Sequence, residues 1–464
     1  MNDAARDERP GTQGSIRVGS WQKLGYGVGD LGQTLFFQAT LLYLLYFYTD
    51  VAGIAPAGVA TILLVARMLD TASNPIIGVL ADRTRSRWGR FRPYLLFGAL
   101  PLGLTALATF TVVPGSAVFK EGYAIVSYAA FSICFAAVAI PYSALLATIT
   151  SDPRDRSSLG ALRAGFSFSA GVIVSSVTLP IVNLAANSAA GFHLAIGIFG
   201  AVGVILLWTA FASTREAIVV PRAHAPSLRE SARALGTAPI VIFTLLFLLT
   251  NLSTMLRSAG AMYYFKYNLA RAELVSAFLT FGSVMTVIGI AVAPFISRRT
   301  GKRGTMIVGV VMMAVGYAMT SILSTTVVST FVWLGFFVYF GFGLKAATTW
   351  PILADCVDYA QWRHGKRVDG IAYGFAIFSQ KLSLALGGAI AGWILSWSGY
   401  VANAEQTTSA MRGIQGLVAF LPSACMVCAV ILALLYPLTD ARVEALNAEL
   451  KRHQRDSRDL PDRS

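Results

Sequence analysis

The chain has 464 residues, of which 55% are hydrophobic and only 13% are charged. A soluble domain carries about 25% charged residues, so this composition excludes a soluble globular protein and indicates a chain embedded in a lipid bilayer. The net charge of +14 does not indicate nucleic acid as a partner, because the basic residues bracket apolar segments and so encode membrane topology. The first twenty residues contain no short apolar core behind a basic stretch, so we expect no cleavable signal peptide.

Twelve apolar stretches reach the length of about 20 residues that a membrane-spanning helix requires. They lie near 27–49, 56–81, 93–113, 122–148, 158–184, 191–213, 238–264, 272–297, 303–324, 327–355, 368–398 and 412–437. The pattern predicts an all-α integral membrane protein with twelve transmembrane helices. A Gly- and Arg-rich turn follows both the second span (DRTRSRWGRFRP, 82–93) and the eighth (SRRTGKRG, 297–304). This weak repeat predicts two pseudo-symmetric six-helix bundles, the layout of the major facilitator superfamily.

Basic residues are concentrated in alternate loops between these spans. They are Arg83, Arg85, Arg87, Arg90 and Arg92, then Arg298, Arg299, Lys302 and Arg303, then Arg363, Lys366 and Arg367. The intervening loops hold only Lys120, Arg271 and Arg412 as isolated exceptions. By the positive-inside rule both termini are expected on the cytoplasmic side of the cell inner membrane.

The longest polar stretch between spans divides the chain into two halves. The predicted organisation is a cytoplasmic tail at 1–22, a six-helix bundle at 23–213, a cytoplasmic loop at 214–237, a second bundle at 238–437 and a cytoplasmic tail at 438–464. In the last segment Val443, Leu446 and Leu450 share one face between charged residues. We therefore expect this tail to lie on the membrane surface or to be loosely ordered.

Asp70 lies in the middle of an apolar run, with Arg67 one turn before it and Asn74 one turn after it. A carboxylate at the centre of a spanning helix costs roughly 2.5–3.5 kcal/mol on insertion scales, so it is retained where it lines water, forms a pair or has a function. The spacing i, i+3 and i+7 places the three residues on one helix face. This face is typical of an ion-coupling element in a transporter.

Ordered motifs in both halves resemble one family. KLGYGVGDLG (23–32), FYTDVAG (47–53), VARMLDTASNPIIG (65–78), DRTRSRWGRFRPY (82–94) and ADCVDYAQW (354–362) are similar to motifs of the glycoside–pentoside–hexuronide:cation symporters, the group that includes melibiose permease. The resemblance runs from about residue 23 to residue 437 and implies cation-coupled sugar uptake by alternating access. It also implies that carboxylates on the second helix couple the cation.

The coupling pattern departs from the family at one position. The family pattern has two Asp residues four positions apart, and this chain has Asp70 followed by Asn74. Two carboxylates would suit sodium, whereas one carboxylate with a neutral amide is a weaker sodium site and a workable proton site. Burial would raise the pKa of Asp70, and Arg67 or Lys381 nearby would lower it again. The pattern favours co-transport of protons, with sodium as the alternative.

The sugar side departs further from melibiose permease. Thr34 and Ala139 stand where that protein has sugar-site Asp residues, and Ser143 and Ala346 stand where it has Trp. Trp350 lies one turn after Ala346 on the same face. Arg163 and Lys381 match family positions. The resemblance therefore implies transport, but it does not imply galactoside specificity.

Residue chemistry predicts a polar cavity with surplus positive charge. Its candidate charges are Arg67, Arg163, Arg257, Lys345 and Lys381 against Asp30, Asp70 and Asp355. Tyr142, Trp350 and Tyr373 could pack against the C–H face of a sugar, or they could instead pack against lipid or neighbouring helices. Lys345 could instead snorkel or pair with Asp355. A neutral glycoside or pentoside ranks first as substrate and a hexuronide second, because Arg257 and Lys345 could face away from the cavity.

The loop after the second span occupies the place of the cytoplasmic gate motif of this superfamily. Its candidate residues are Gly78, Asp82 and Arg83. Asp355 and Asp358, at the cytoplasmic end of the tenth helix, are expected to pair with basic loop residues. Charge pairs of this kind can hold one conformation closed and break in the other.

Other classes of protein fit the sequence less well. No metal-spaced cluster of His, Cys and Asp is present and the four histidines are scattered, so we expect no enzyme, no metal and no cofactor beyond the co-transported H⁺ or Na⁺. A lysolipid carrier of related fold would need a lateral apolar opening, and a non-transporting sensor would lose the coupling Asp. The expected partners are a small sugar, the coupling cation and the lipid bilayer, with the protein as a monomer.

Overall fold

The computed structural model describes residues 18–150, 153–216, 236–323, 326–364, 369–446 and 449, and within these ranges the secondary structure is helical, with no strand. Nine helical runs in the described part are long and apolar enough to cross a membrane. One of them, Ala272–Ile322, contains two helices, and two further helices, Ser20–Tyr46 and Arg92–Thr109, complete a set of twelve in the described part of the chain. The predicted all-α architecture is therefore confirmed.

The first half contains six helices in the predicted order. They are α1 (Ser20–Tyr46), α2 (Pro56–Arg83), α3 (Arg92–Thr109), α4 (Ala117–Ile149), α5 (Pro153–Val182) and α6 (Ser188–Ser213). A π-helical turn, Phe47–Val51, extends α1. Helices α2, α4, α5 and α6 extend beyond the predicted apolar spans at one or both ends, because a helix that leaves the bilayer keeps its own backbone hydrogen bonds, whereas α3 ends four residues before its predicted span does.

The second half repeats this arrangement. Helix α7 (Ala238–Tyr263) ends in a π-helical turn, Tyr264–Asn268, and Gly301 divides Val275–Ile322 into α8 (275–300) and α9 (302–322). Helix α10 runs through Val327–Thr330, Phe331–Val338 and Tyr339–His364. Helix α11 is Asp369–Trp397, and α12 is Thr408–Leu435 with a π-helical turn in its first half.

The antiparallel helices give the bundle two ends. The terminal end carries the start of α1, the end of α12 and the turn at Gly301. The far end carries the π turns after α1 and α7 and the starts of α4, α6 and α12. The side chains of Ser116, Asn187 and Thr407 accept hydrogen bonds from the first turns of those three helices, which satisfies backbone N–H groups that have no partner within the helix.

The two halves pack closely toward the far end and separate toward the terminal end. A Cβ atom on Gly392 of α11 would lie only 2.7 Å from the carbonyl oxygen of Pro56 in α2. Nearer the terminal end of the same two helices, a Cβ on Gly374 or Gly78 would meet no atom within 4 Å. The helices therefore diverge along their length, and the space between the halves opens at the terminal end.

The segment after α12 corrects one expectation. A short helical stretch covers 440–446, and Val443 and Leu446 are each only 6% exposed in the hydrophobic core. They pack against the protein and do not form a membrane-surface face, because the stretch folds back under the end of the second half. Residues 1–17 and 217–235, most of the two other predicted polar segments, lie outside the described residues, as does Leu450.

Candidate functional site

A cavity of about 360 Å³ lies between the two halves, at the middle depth of the bundle. Helices α1 and α5 form one wall, and α7, α8, α10 and α11 form the other. Its polar and charged lining includes Gln38, Asn251, Thr254, Arg257, Lys345 and Gln380. The volume falls in the lower part of the range for small-molecule sites, about 300–1,000 Å³.

One face of α10 forms much of the second wall. Phe342, Lys345, Ala346, Thr349 and Trp350 line the cavity, and their spacing of i, i+3, i+4, i+7 and i+8 is that of one helical face. Trp350 is 43% exposed and stacks on Tyr373 of α11, with ring centroids 5.9 Å apart and planes 10° apart. Trp350 thus presents an aromatic surface at the edge of the cavity.

Arg257 and Lys345 both line this cavity and are each only 3% exposed. The Arg257 guanidinium donates to the Tyr339 hydroxyl at 2.6 Å and lies 4.0 Å from the centroid of that ring. The Lys345 ammonium lies 4.5 Å from the centroid of the Phe247 ring. The sequence left open that Lys345 pairs with Asp355, but Asp355 is bound by Lys302 instead.

Asp70 joins the two halves across the middle of the bundle. Lys381 of α11 donates to its carboxylate at 3.0 Å, and the Asp70 side chain is 5% exposed. The neighbours of Asp70 on its helix have other contacts, since Arg67 lies 5.6 Å from the centroid of the Tyr128 ring. The Oδ1 atom of Asn74 is buried and has no hydrogen-bond partner. The structure thus brings Asp70 and Lys381 together and leaves Arg67 apart from them.

A second acid–base pair lies within the first half, nearer the terminal end. Arg163 of α5 donates to Asp30 of α1 at 3.0 Å, and Gln33 donates to the same carboxylate at 2.6 Å. One turn further along α1, the Thr34 hydroxyl lies 3.3 Å from that of Ser167. The structure places Asp30, Arg163 and Thr34 in one polar strip on the first half, outside the lining of the central cavity.

Tyr142, a predicted substrate-facing residue, lies inside the first half. Its ring stacks on Tyr26 with centroids 4.8 Å apart, and its hydroxyl donates to the Tyr26 carbonyl oxygen. It has no exposed surface. In this conformation Arg163 lies over its ring, at 5.2 Å from the centroid, so Tyr142 positions Arg163 and does not itself reach the cavity.

The predicted gate residues lie at the terminal end. Gly78 faces open space and Arg83 is exposed, while the side chain of Asp82 lies outside the described part of the structure. Asp355 accepts a hydrogen bond from Lys302 of the α8–α9 turn at 2.5 Å, and Asp358 also has a partner. The Lys302 pair lies within the second half, so it does not connect the two halves in this conformation.

Sequence reasoning missed a cluster that closes the far end. Asp50, in the π turn after α1, accepts hydrogen bonds from Lys266, Tyr267 and Tyr400 of the other half at 2.8, 2.8 and 2.7 Å. Asn403 donates to its backbone oxygen at 2.8 Å. Burial and the Asp50 charge raise the pKa of Tyr400, so its hydroxyl stays protonated and donates. A charged residue at the end of an apolar run was the available signal, within the motif FYTDVAG.

Two six-helix halves with a cavity between them at mid-depth are the arrangement found in many secondary transporters. Solved structures of this class share the fold. The nucleoside transporter NupG matches with a TM-score of 0.61 at 14% identity, covering 89% of this chain and 98% of that one. A proton-dependent oligopeptide transporter structure matches with a TM-score of 0.64 at 13% identity, covering 92% and 99%.

Curated relatives match almost end to end. The putative glycoside/cation symporter YagG of Escherichia coli is 33% identical over 93% of this chain and 95% of its own length. The isoprimeverose transporter of Lactiplantibacillus pentosus is 32% identical over 85% and 84%. The glucuronide carrier protein homologue of Escherichia coli is 30% identical over 93% and 95%.

Residues 25–440 match the model of the MFS/sugar transport protein family. The chain belongs to this family and is a multi-pass membrane transporter, not an enzyme. The match confirms the resemblance to the glycoside–pentoside–hexuronide:cation symporters on which the sequence interpretation relied.

Proposed function

We propose that the protein is a symporter that couples uptake of a sugar to a cation moving down its gradient. The ion pair between Asp70 and Lys381 carries this proposal, because it joins the two halves at mid-depth. The relatives named as a glycoside/cation symporter and an isoprimeverose transporter support it. The cavity surface is largely apolar, and the polar side chains set into it, among them Gln38, Asn251, Thr254 and Gln380, offer the hydrogen-bond partners that sugar hydroxyl groups need.

The proposed coupling ion is a proton, and Asp70 is its carrier. Protonation removes the negative charge that holds Lys381, so it weakens a contact between α2 and α11 that must change when the halves rock. A proton can therefore shift the equilibrium between conformations because it has different affinities for them. Sodium remains the alternative, for which the unpartnered Oδ1 of Asn74 supplies one neutral oxygen ligand.

We further propose that the terminal end faces the cytoplasm, in the inner membrane. Loops at that end carry most of the basic residues, as the positive-inside rule requires. The conformation described here is then inward-facing, with the Asp50 cluster closing the periplasmic side. Release of the cluster, together with closure at the terminal end, would give the outward-facing state of alternating access.

Counterflow in proteoliposomes tests the proposal. Vesicles preloaded with one of a panel of glycosides, pentosides or hexuronides are diluted into the labelled compound, with and without an imposed pH gradient. We expect saturable exchange of at least one compound and uphill accumulation when the outside is acidic. Failure of every sugar in the panel, in protein shown to be folded, would overturn the proposal.

A further inference from the structure

The cavity wall formed by the second half contains two buried cations and, among the described residues, no carboxylate. Arg257 and Lys345 are each 3% exposed, and no Asp or Glu is among the residues that line the cavity. The Nε atom of Arg257 is buried without a hydrogen-bond partner. An unpaired cation at membrane depth is costly and is retained where it has a function.

The three buried acids among the described residues are already paired with other bases. Asp70 is bound by Lys381, Asp30 by Arg163, and Asp50 by Lys266. Nearer the terminal end, Asp355 is bound by Lys302. These pairs leave the charges of Arg257 and Lys345 without a carboxylate partner in the described part of the chain.

The aromatic neighbours of the two cations do not balance their charge. The Tyr339 ring and hydroxyl contact Arg257, and the Phe247 ring lies beside Lys345. A cation–π contact contributes about 0.5–2 kcal/mol, which is less than the effective cost of several kcal/mol of burying an ion. Tyr317 is a further hydrogen-bonding neighbour of Arg257. The Nε atom of Arg257 remains without a hydrogen-bond partner and is available to a ligand.

We propose that Arg257 and Lys345 form an anion subsite and that the transported sugar carries a carboxylate, as a hexuronide does. The inference rests on the proposed function and names its substrate class. The Arg257 guanidinium can bind a carboxylate through two parallel N–H donors, and Lys345 adds a point charge. Asn251 and Thr254 on the same wall offer hydrogen bonds to ring hydroxyls, and Trp350 offers a surface for the C–H face.

The ranking of a neutral sugar first depended on these two cations facing away from the cavity. Both line it, so that premise is not met. The field of two cations in a site of low dielectric constant favours an anion over a neutral molecule of the same shape. Protonation of Asp70 would also leave the Lys381 charge without its partner. The charge of an anionic substrate and that of the co-transported proton cancel.

Matched ligands test the proposal on the unmodified protein. Counterflow of labelled methyl β-D-glucuronide in proteoliposomes is competed with the unlabelled acid, its uncharged methyl ester, methyl β-D-glucoside and acetate. We expect the acid to compete at least about tenfold better than the ester or the glucoside, as a charged hydrogen bond implies. Acetate should not compete at the same concentration.

Variants connect the preference to the two residues. We expect Arg257→Gln and Lys345→Gln to weaken competition by the acid about tenfold or more, with little change for the glucoside. Arg257→Lys and Lys345→Arg keep the charge and should keep part of the preference. Arg412→Gln removes a positive charge from an exposed site outside the cavity and should leave the preference unchanged.

Three results would overturn the anion subsite while leaving sugar symport intact. They are transport of the glucoside but not of the acid, equal competition by the acid and its ester, and a preference for the acid that both neutral variants retain. Competition by acetate as strong as that by the glucuronide would show a site for small anions and not for sugar acids. Absence of any sugar transport would instead refute the proposed function itself. If the Gln variants misfold, the comparison of acid with ester on the unmodified protein still decides.

Discussion

At the scale of single residues, the site is organised by which base each buried acid binds. Asp70 has two bases within reach by sequence or family position, Arg67 on its own helix and Lys381 on another. Lys381 forms the ion pair, while Arg67 lies over the Tyr128 ring. A pair within one helix would be unaffected by movement of the halves, whereas the observed pair joins α2 of one half to α11 of the other. In the proposed mechanism, protonation of Asp70 would therefore act on a contact between the two halves.

The first prediction concerns this carboxylate. Asp70→Asn should abolish uphill accumulation and leave exchange down a gradient, because coupling and binding are separate free-energy terms. Accumulation under an inward pH gradient measures coupling, and counterflow without a gradient measures binding and exchange. Full accumulation by the variant would remove Asp70 from the coupling mechanism.

The second prediction concerns the coupling ion. With one carboxylate on the α2 face, uptake should follow the pH gradient and be nearly indifferent to sodium at fixed pH. Asn74→Asp restores two acids four residues apart and should make uptake respond to sodium, because a second negative oxygen suits that ion. Initial rates at a series of sodium concentrations provide the measurement. Strong sodium stimulation of the unmodified protein would contradict the proton assignment.

At the scale of elements, each half uses a carboxylate to fix the start of a helix at the terminal end. Glu216, just after α6, accepts hydrogen bonds from the backbone N–H groups of Arg90, Phe91 and Arg92 at 2.7–3.0 Å. Asp440, just after α12, accepts one from Lys302 at 3.1 Å. A glycine with positive φ lies beside each acid, Gly89 at +107° and Gly301 at +73°. The same arrangement of an acid and a glycine in each half reflects the internal repeat of the sequence.

The third prediction follows from the number of these hydrogen bonds. Glu216→Gln should lower the free energy of unfolding by about 1–2 kcal/mol, because the anionic acceptor at a helix N-terminus is lost. Asp440→Asn should lower the free energy of unfolding by less, since Asp440 accepts only one of these backbone hydrogen bonds. Unfolding in detergent micelles measures both.

The control for this comparison is Glu444→Gln, which neutralises an exposed acid in the same C-terminal stretch as Asp440. It should leave the free energy of unfolding unchanged. Equal stability of the Glu216 and Glu444 variants would show that the three hydrogen bonds do not stabilise the start of α3.

At the scale of the whole molecule, contacts between the two halves close the far end. The Asp50 side chain has no exposed surface and binds Lys266, Tyr267 and Tyr400 of the other half. Asp50 and Tyr267 occupy the same place in the two π turns, the fourth residue of each. Pseudo-symmetry therefore brings corresponding turns of the two halves together to close the cavity at that end.

The fourth prediction concerns this closure. Asp50→Asn keeps the size of the side chain and removes the charge that Lys266 binds, so the population with an open far end should rise. Breaking a buried ion pair costs about 3–5 kcal/mol. A shift of about 1.4 kcal/mol in the free-energy difference between the closed and open conformations already changes their ratio about tenfold. The readout is labelling of a cysteine at Thr254, a cavity residue, by an impermeant thiol reagent added at the far side. Cys134, Cys356, Cys425 and Cys428 are replaced first.

We expect labelling of this single-cysteine protein to accelerate about tenfold with Asp50→Asn. Glu405→Gln serves as the control, because Glu405 is an exposed acid in the loop that also carries Asn403. It should leave the labelling rate unchanged. Unaltered labelling in a folded Asp50 variant would show that the cluster does not hold the far end closed.

Much of the architecture follows from the sequence because membrane insertion is a local property. Each apolar span must satisfy its own backbone hydrogen bonds, so length and composition alone identify it as a helix. The twelve spans, the division into two halves and the family were predicted in this way and from the ordered motifs. The intramembrane position of Asp70 was also visible, because a single acid in an apolar run stands out whatever the tertiary structure.

The contacts between helices were decided only by the tertiary structure. Lys381 lies 311 residues from Asp70, and no local pattern shows which base reaches it. The same applies to the burial of Tyr142, to the cavity-facing positions of Arg257 and Lys345, and to the cluster around Asp50. A helix in an apolar solvent has no polar surface to mark its outer side, so its rotation is fixed by packing against its neighbours. Sequence therefore determined which residues cross the membrane, and packing decided which of them face the cavity.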